Sequence, residues 1–357
     1  MLNRVARRLL SAGIVAGSGA AVAAGTVVYV SNADSQEISV LALDRASGAL
    51  TPIETVPVGG TVMPLALSPD KRVLYAALRS QPFRVASFAI DPASGRLKKL
   101  GEAALADSMA NIDTDRSGRW LFAASYGGHK ITVNAIGKDG AVGAVEQLLP
   151  TAPNAHAIHA DATNRFVMAT SLGGDQVSSW RFDAERGRLT PNDPATVTLP
   201  ARSGPRHFVF DAAQRFVYLV GELDAVLHVF AYEAGGLREL QAVSALPAGF
   251  SGKPWAADLH LTPDGRWLYV SERGSSTLAA FRVDAQSGRV TPAGSTPTEK
   301  TPRGFAISPS GRHLLAVGQE SHAMTAYAID DASGALTPVA HAAIGKNPNW
   351  VEIVELP

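Results

Sequence analysis

The stretch "TPDGRWLYVSE" at residues 262–272 reads as a tight turn running straight into a strand: Thr-Pro-Asp-Gly, an arginine, then apolar and aromatic residues suited to a pleated, half-buried surface. Alone it would fit any β protein. It recurs, however, as "SPDKRVLYAAL" at 68–78, "DRSGRWLFAAS" at 115–125, "DATNRFVMATS" at 161–171, "DAAQRFVYLVG" at 211–221 and "SPSGRHLLAVG" at 308–318. The turn arginines, Arg72, Arg119, Arg165, Arg215, Arg266 and Arg312, are 46 to 51 residues apart, the length of one four-stranded propeller blade.

A second unit interleaves with the first. It is a strand, an acidic turn and another strand, as in "ISVLALDRASGALTPI" from Ile38, "RVASFAIDPASGRLKKL" from Arg84 and "MTAYAIDDASGALTPV" from Met324, with looser copies near Ile131, Val177, Leu227 and Leu278. The first copy has no turn-arginine unit before it. The strand it lacks is supplied by the chain's end, "NPNWVEIVEL" at 347–356, whose opening resembles "TPRGFAISPS" at 301–310. Helical periodicity is absent and Gly and Pro are frequent. These features predict an all-β chain, a single seven-bladed β-propeller of four-stranded blades over residues 25–357, its ring closed by pairing the N-terminal strands with the C-terminal strand. A pair of β-sandwiches is the plainer alternative, and it leaves the period unexplained.

With 46% hydrophobic and 18% charged residues in 357, the chain has the material for a large core. Lys+Arg and Asp+Glu both number 32, so overall charge gives no reason to expect nucleic acid or an anionic membrane as partner. The absence of cysteine excludes disulfides, thiolate metal sites and a cysteine nucleophile. Residues 1–24 differ from the rest: Arg4, Arg7 and Arg8, then a stretch of small and apolar residues, then Ala21-Val22-Ala23 give the order of a secretory signal peptide cleaved near Ala23 or Ala24. Export to the periplasm with no stable membrane span after cleavage is the expectation. A membrane anchor or a start codon placed too early, which would leave the protein cytoplasmic, is the alternative.

Aligning the turn arginines exposes two variable columns. The first lies at the start of the strand before each turn: Met63-Pro64, Ala110-Asn111, His156-Ala157, Arg206-His207, Ala257-Asp258, Arg303-Gly304 and, by pattern, Asn349-Trp350. The second lies seven residues after the arginine, at Arg79, Tyr126, Leu172, Glu222, Arg273 and Gln319, with Asn32 as its counterpart in the first blade. The start of one strand and the end of its antiparallel partner share an end of the sheet, so both columns meet at one mouth of the ring. If the strand before the turn is innermost, that mouth opens on the central channel, where arginines outnumber carboxylates. Arginine's planar fork suits a small carboxylate or phosphate guest.

Bland readings compete at each position. Arg206 and Arg273 could pair with Glu222 and Asp258 merely to tie blades together; His207 could be a packing histidine, and His260 reads as core or blade interface. "HAIH" at 156–159 suggests metal ligands, but strand neighbours three apart point to opposite faces, so His156 and His159 are not expected to chelate together.

At these residues the chain resembles the lactonase family of seven-bladed propellers, which includes bacterial cycloisomerase-type 6-phosphogluconolactonases and fungal carboxy-cis,cis-muconate cyclases, the bacterial branch being the better fit. The resemblance runs from Thr26 to Val354 and is carried by "GPRHFVFD" at 204–211, "GELDAV" at 221–226, "PWAADLHLTPDGRWLYVSERG" at 254–274 and "TPRGFAISPSGRHLLAVGQESH" at 301–322. It implies a functional group of His156, Arg206, Glu222 and Arg273. The N-terminal extension departs from the familiar bacterial members and favours an unphosphorylated lactone over a phosphorylated one.

No Ser-His-Asp order, nucleophile elbow or metal-ligand set is visible. The expected reaction is therefore lactone hydrolysis by general-base attack of water, without metal or cofactor. Glu222 or His156 would be the base, and Arg206 or Arg273 the oxyanion holder. His207, Arg303, Asp258, Arg79 and Gln319 would complete the substrate-binding set. Two rivals remain open at this level, a carboxymuconate-type lactonising cyclase and a non-enzymatic interaction platform. The oligomeric state is left open.

Overall fold

The structure, a computed structural model, describes residues 25–357; the signal peptide expected at 1–24 lies outside the described residues. Each turn-arginine unit folds through the same local chemistry. Its first side chain, Ser68, Asp115, Asp161, Asp211, Thr262 or Ser308, accepts the backbone N–H at the start of the next strand, as Asp115 does from Arg119 and Trp120 at 2.8 and 2.9 Å. The residue just before the arginine takes a positive φ in all six copies: Lys71, Gly118, Asn164, Gln214, Gly265 and Gly311. Thus the repeat read in the sequence is a turn that needs a side-chain acceptor at one end and left-handed backbone at the other.

The described residues form seven four-stranded antiparallel sheets. Blade 1 is closed by the chain end, with Pro348–Glu355 innermost against Thr26–Asn32. Blades 2 to 7 follow in sequence, with inner strands Val62–Leu67, Met109–Thr114, Ala155–Ala160, Pro205–Phe210, Ala256–Leu261 and Pro302–Ile307. Each inner strand abuts its neighbours around the channel. The only helical segment among the described residues is the 3-10 turn Leu172–Gly174. None of their helices is long and apolar enough to cross a membrane.

The core is divided rather than central. Seven apolar clusters each fill the space between two adjacent blades, such as Tyr218, Val220, Leu259, Leu268 and Phe281 between blades 5 and 6. Tyrosines reinforce these interfaces: the Tyr29, Tyr218 and Tyr269 hydroxyls donate to the carbonyls of Gly95, Gly288 and Gly334 in the next blade, at 2.7, 3.0 and 2.8 Å.

One irregularity repeats in every blade. At the first step of each inner strand the pairing slips by one residue: Pro205 faces Gly221 while Phe208 faces Leu219, and the same slip occurs at 62–65, 109–111, 155–158, 256–259, 302–304 and 348–350. These are β-bulges, which bend the strand and re-aim side chains. They coincide with the first variable column. Core alternation is suspended there, which frees these positions to differ.

Candidate active site

The bulge of blade 5 carries Arg206 and His207 into the channel. Arg206 is fully buried (0% exposed). Its Nε donates to Glu222 Oε2 at 2.8 Å, and one terminal nitrogen donates in a short bond to the carbonyl of Ala257 on the next inner strand. The same Glu222 oxygen accepts from Arg273 at 2.8 Å. Arg273 is fixed further by the carbonyls of Trp255 and Ala256, at 3.1 and 3.0 Å, and by the Trp255 ring 4.0 Å from its guanidinium. Glu222 thus holds two arginines from adjacent blades.

Arg79 and Arg303 complete the basic group from blades 2 and 7. Arg79 donates to Ser108 Oγ at 2.8 Å, whereas Arg303 has no hydrogen bond or ion pair among the described residues. Their electrostatics report crowding. Burial and the field of Arg206 lower the pKa of Arg79, Arg273 (to about 10) and Arg303, the last well below its ordinary value. Burial pushes the Glu222 carboxyl up, but Arg206 and Arg273 outweigh it and hold it below the usual glutamate value. Four arginines facing one carboxylate leave the mouth short of negative charge.

Beneath them lie the histidines. His156 is buried, its ring 5.1 Å from that of His207 and 6.0 Å from Tyr126. Burial, then the charge of Arg206 and the neighbouring His207, hold it well below its ordinary pKa. His207 reaches across the channel to Trp350 of blade 1, ring to ring at 5.5 Å, and its Nδ1 lies 2.8 Å from Asp258 Oδ1 of blade 6. The other Asp258 oxygen is 3.2 Å from His260 Nε2. Three buried polar atoms of this layer have no partner: Arg206 Nη2, His156 Nδ1 and His207 Nε2.

Below His207, Asp258 and Trp350 a cavity of about 530 Å³ opens towards the other end of the channel, lined by Asp113, His159, His260 and Glu352 among others. Here each acid is matched: Asp113 with His159 Nδ1 at 2.8 Å, Glu352 with Trp350 Nε1 at 3.0 Å.

The structure therefore brings together His156, Arg206, Glu222, Arg273, Arg303, Arg79, His207 and Asp258; Gln319 donates its side-chain amide to Asn347 Oδ1 at 2.7 Å. Asp258 pairs with histidines rather than with an arginine. Two expectations need correction. His260 does pack on Phe305 of blade 7, but it is no core residue: 37% of its side chain is exposed and it lines the lower cavity. His156 and His159 both turn towards the axis, because the bulge between them adds a residue and breaks the strict alternation assumed. They still do not converge, and no set of three His, Asp or Glu among the described residues is arranged to hold a metal ion. Sequence reading placed Trp350 in the mouth column without a role and missed Glu352 and the Asp113–His159 pair. Their signal was available: polar residues at alternate positions of inner strands, Asp258-x-His260 and Trp350-x-Glu352, mark a wetted face.

A family model described as "Lactonase, 7-bladed beta-propeller" matches residues 22–353. The 6-phosphogluconolactonase of Pectobacterium carotovorum subsp. carotovorum (strain PC1) is 42% identical over 332 residues, covering 92% of this chain and 99% of the relative. That of Serratia proteamaculans (strain 568) is 41% identical over 330 residues, covering 92% and 98%. Among solved structures, the periplasmic gluconolactonase PpgL of Pseudomonas aeruginosa superposes with a TM-score of 0.88 at 32% identity, covering 93% of this chain and 99% of that one.

Proposed function

Because the chain belongs to the lactonase family of seven-bladed β-propellers, we propose that it is a carboxylic ester hydrolase opening glucono-1,5-lactone or its 6-phosphate to the aldonic acid at the arginine mouth. The observation carrying this reading is the excess of buried guanidinium over carboxylate, with Arg206 Nη2 left without a partner. A lactone carbonyl acquires negative charge as water attacks, and a fixed guanidinium stabilises that charge without reorganising. Arg206, held by Glu222 and the Ala257 carbonyl, supplies the oxyanion donor. Arg273, Arg303 and Arg79 bind hydroxyl, carboxylate or phosphate oxygens of the substrate. Glu222 orients two arginines, one of its oxygens accepting from both. His156 belongs to the group as the imidazole facing the arginines.

The unphosphorylated lactone is the favoured substrate and the periplasm the favoured compartment, on the order of residues in 1–24 and the likeness to the Pseudomonas protein. Rates on both lactones, corrected for spontaneous hydrolysis, test the activity. N-terminal sequencing of protein from fractionated cells tests the compartment: a start near Gly25 in the periplasm supports export, and an intact Met1 in the cytosol removes it. A thermal-shift series separates the substrates: an anion bound at about 100 times its Kd stabilises by about 2.7 kcal/mol. Gluconate matching 6-phosphogluconate at equal concentration supports the unphosphorylated lactone, while a far larger shift with 6-phosphogluconate overturns it.

A further inference from the structure

We infer that His207 is the group that takes the proton from the attacking water, with Asp258 as the positioning residue that fixes its tautomer and His260 holding Asp258 from behind. This inference rests on the lactonase reading above and names the base within it.

Asp258 is an ionised carboxylate, kept so by His260 and His207 against the opposing effect of burial. A carboxylate only accepts hydrogen bonds, so the 2.8 Å contact requires the proton of neutral His207 to sit on Nδ1. Nε2 then carries a bare lone pair, and that atom is both buried and without a partner. Buried polar atoms are nearly always satisfied, and exceptions call for a functional account. His207 follows Arg206 directly in the bulge, so the lone pair and the free guanidinium nitrogen arise from one irregular step of one strand.

The two earlier candidates lack this arrangement. Glu222 is committed to two arginines. His156 has no carboxylate to choose between its nitrogens, and its ring lies against His207 rather than against an acid. His207 alone has its carboxylate 2.8 Å away and a second imidazole, His260, 3.2 Å from that carboxylate's other oxygen. His260 lines the lower cavity, as do Asp258 and part of His207, while the His207 Nε2 atom itself is buried. Burial and the Arg206 charge hold the free imidazole at about 3, keeping it unprotonated. Negative charge developing on the lactone carbonyl oxygen offsets that of Arg206 during the attack and raises the basicity of Nε2 when it is needed.

Water oxygen bonds to the lactone carbonyl carbon as one of its protons passes to His207 Nε2, and the carbonyl π pair moves onto oxygen beside Arg206. The tetrahedral adduct collapses, the bond from carbon to ring oxygen breaks, and Nε2–H returns the proton to the leaving alkoxide. Lactone and water give the hydroxy acid, and the imidazole ends neutral.

Steady-state kinetics on glucono-1,5-lactone and its 6-phosphate test the inference. No rate above spontaneous hydrolysis with the unmodified protein would remove the lactonase reading, and this inference with it. Given activity, His207→Gln should lower kcat about 10²–10⁴-fold with KM within about threefold. A kcat within about tenfold of the parent overturns the role while leaving the lactonase reading intact. Should His207→Gln fail to fold, ¹⁵N histidine spectra decide: His207 should carry its proton on Nδ1, and Asp258→Asn should shift it towards Nε2 and lower kcat at least about tenfold. An Nε2–H tautomer in the parent, or unchanged kcat in Asp258→Asn, refutes it.

Discussion

The two ends of the central channel are built from the same seven strands, yet they differ in how their polar groups are satisfied. At the lower end the strands keep regular alternation, and acids meet partners singly: Asp113 with His159, Glu352 with Trp350. At the upper end every strand is bulged, four arginines face one glutamate, and Arg206 Nη2, His156 Nδ1 and His207 Nε2 are buried without partners. A satisfied polar surface gains nothing from a guest. An unsatisfied one, already desolvated and rigid, does. The bulge is what separates the two, because it lets consecutive residues enter the channel where a regular pleat would admit only alternate ones.

Substitutions should divide along the same line. The largest effect is expected from Arg206→Met, which removes the unpaired donor while keeping much of the buried volume: kcat/KM should fall by about 10²–10³ or more. A loss below about tenfold in the steady-state assay would place the oxyanion elsewhere. Glu222→Gln should come next, with kcat/KM down about a hundredfold and stability lower by about 2 kcal/mol in urea unfolding, since two buried guanidinium groups lose their shared counter-charge. If that variant keeps its stability and loses only kcat, Glu222 acts on the substrate after all.

How much of this was legible in the sequence follows from the same contrast. The turn-arginine unit recurs because one local hydrogen-bonding scheme, from Ser68 to Ser308, is used six times, and a repeated cause leaves a repeated trace. Ring closure by 347–356 was readable for that reason. The columns at the mouth were visible as departures from the repeat. The partners within them were not: both Arg206 and Asp258 had been offered several, and only the folded channel assigns Glu222 to the arginines and Asp258 to the histidines. The bulge was hidden altogether. Its presence overturned the alternation argument for His156 and His159, since one additional residue reverses the facing of everything beyond it.

The lower end should respond weakly, and in stability rather than turnover. Asp113→Asn should leave kcat/KM within about twofold and cost roughly 1 kcal/mol at pH 7, its side chain being about one-quarter exposed. Burial raises the Asp113 pKa, but His159 and Arg116 outweigh it, so the folded value lies below the unfolded one. The stabilisation is therefore present above about pH 4 and is lost as pH falls through the folded value. Denaturation curves of variant and parent should converge under acid; a constant gap would mean that charge is not involved. Glu352 has the opposite sign. Burial raises its pKa, so its ionised form opposes folding as pH rises through and above 4.5. Glu352→Gln should be neutral in acid and gain roughly 0.5 kcal/mol or less at pH 7, the smallest shift of the set.

The inner wall of blade 1 is Pro348–Glu355, with the Leu356 amide tied to the Gly25 carbonyl at 3.0 Å. The last strand of the described residues thus latches the first. Without Pro348–Glu355 the ring would be no slightly smaller enzyme but an unfastened hoop, missing Trp350 and exposing the Thr26–Asn32 edge to any neighbour able to pair with it. Closure of the ring and one wall of the channel therefore depend on the same strand.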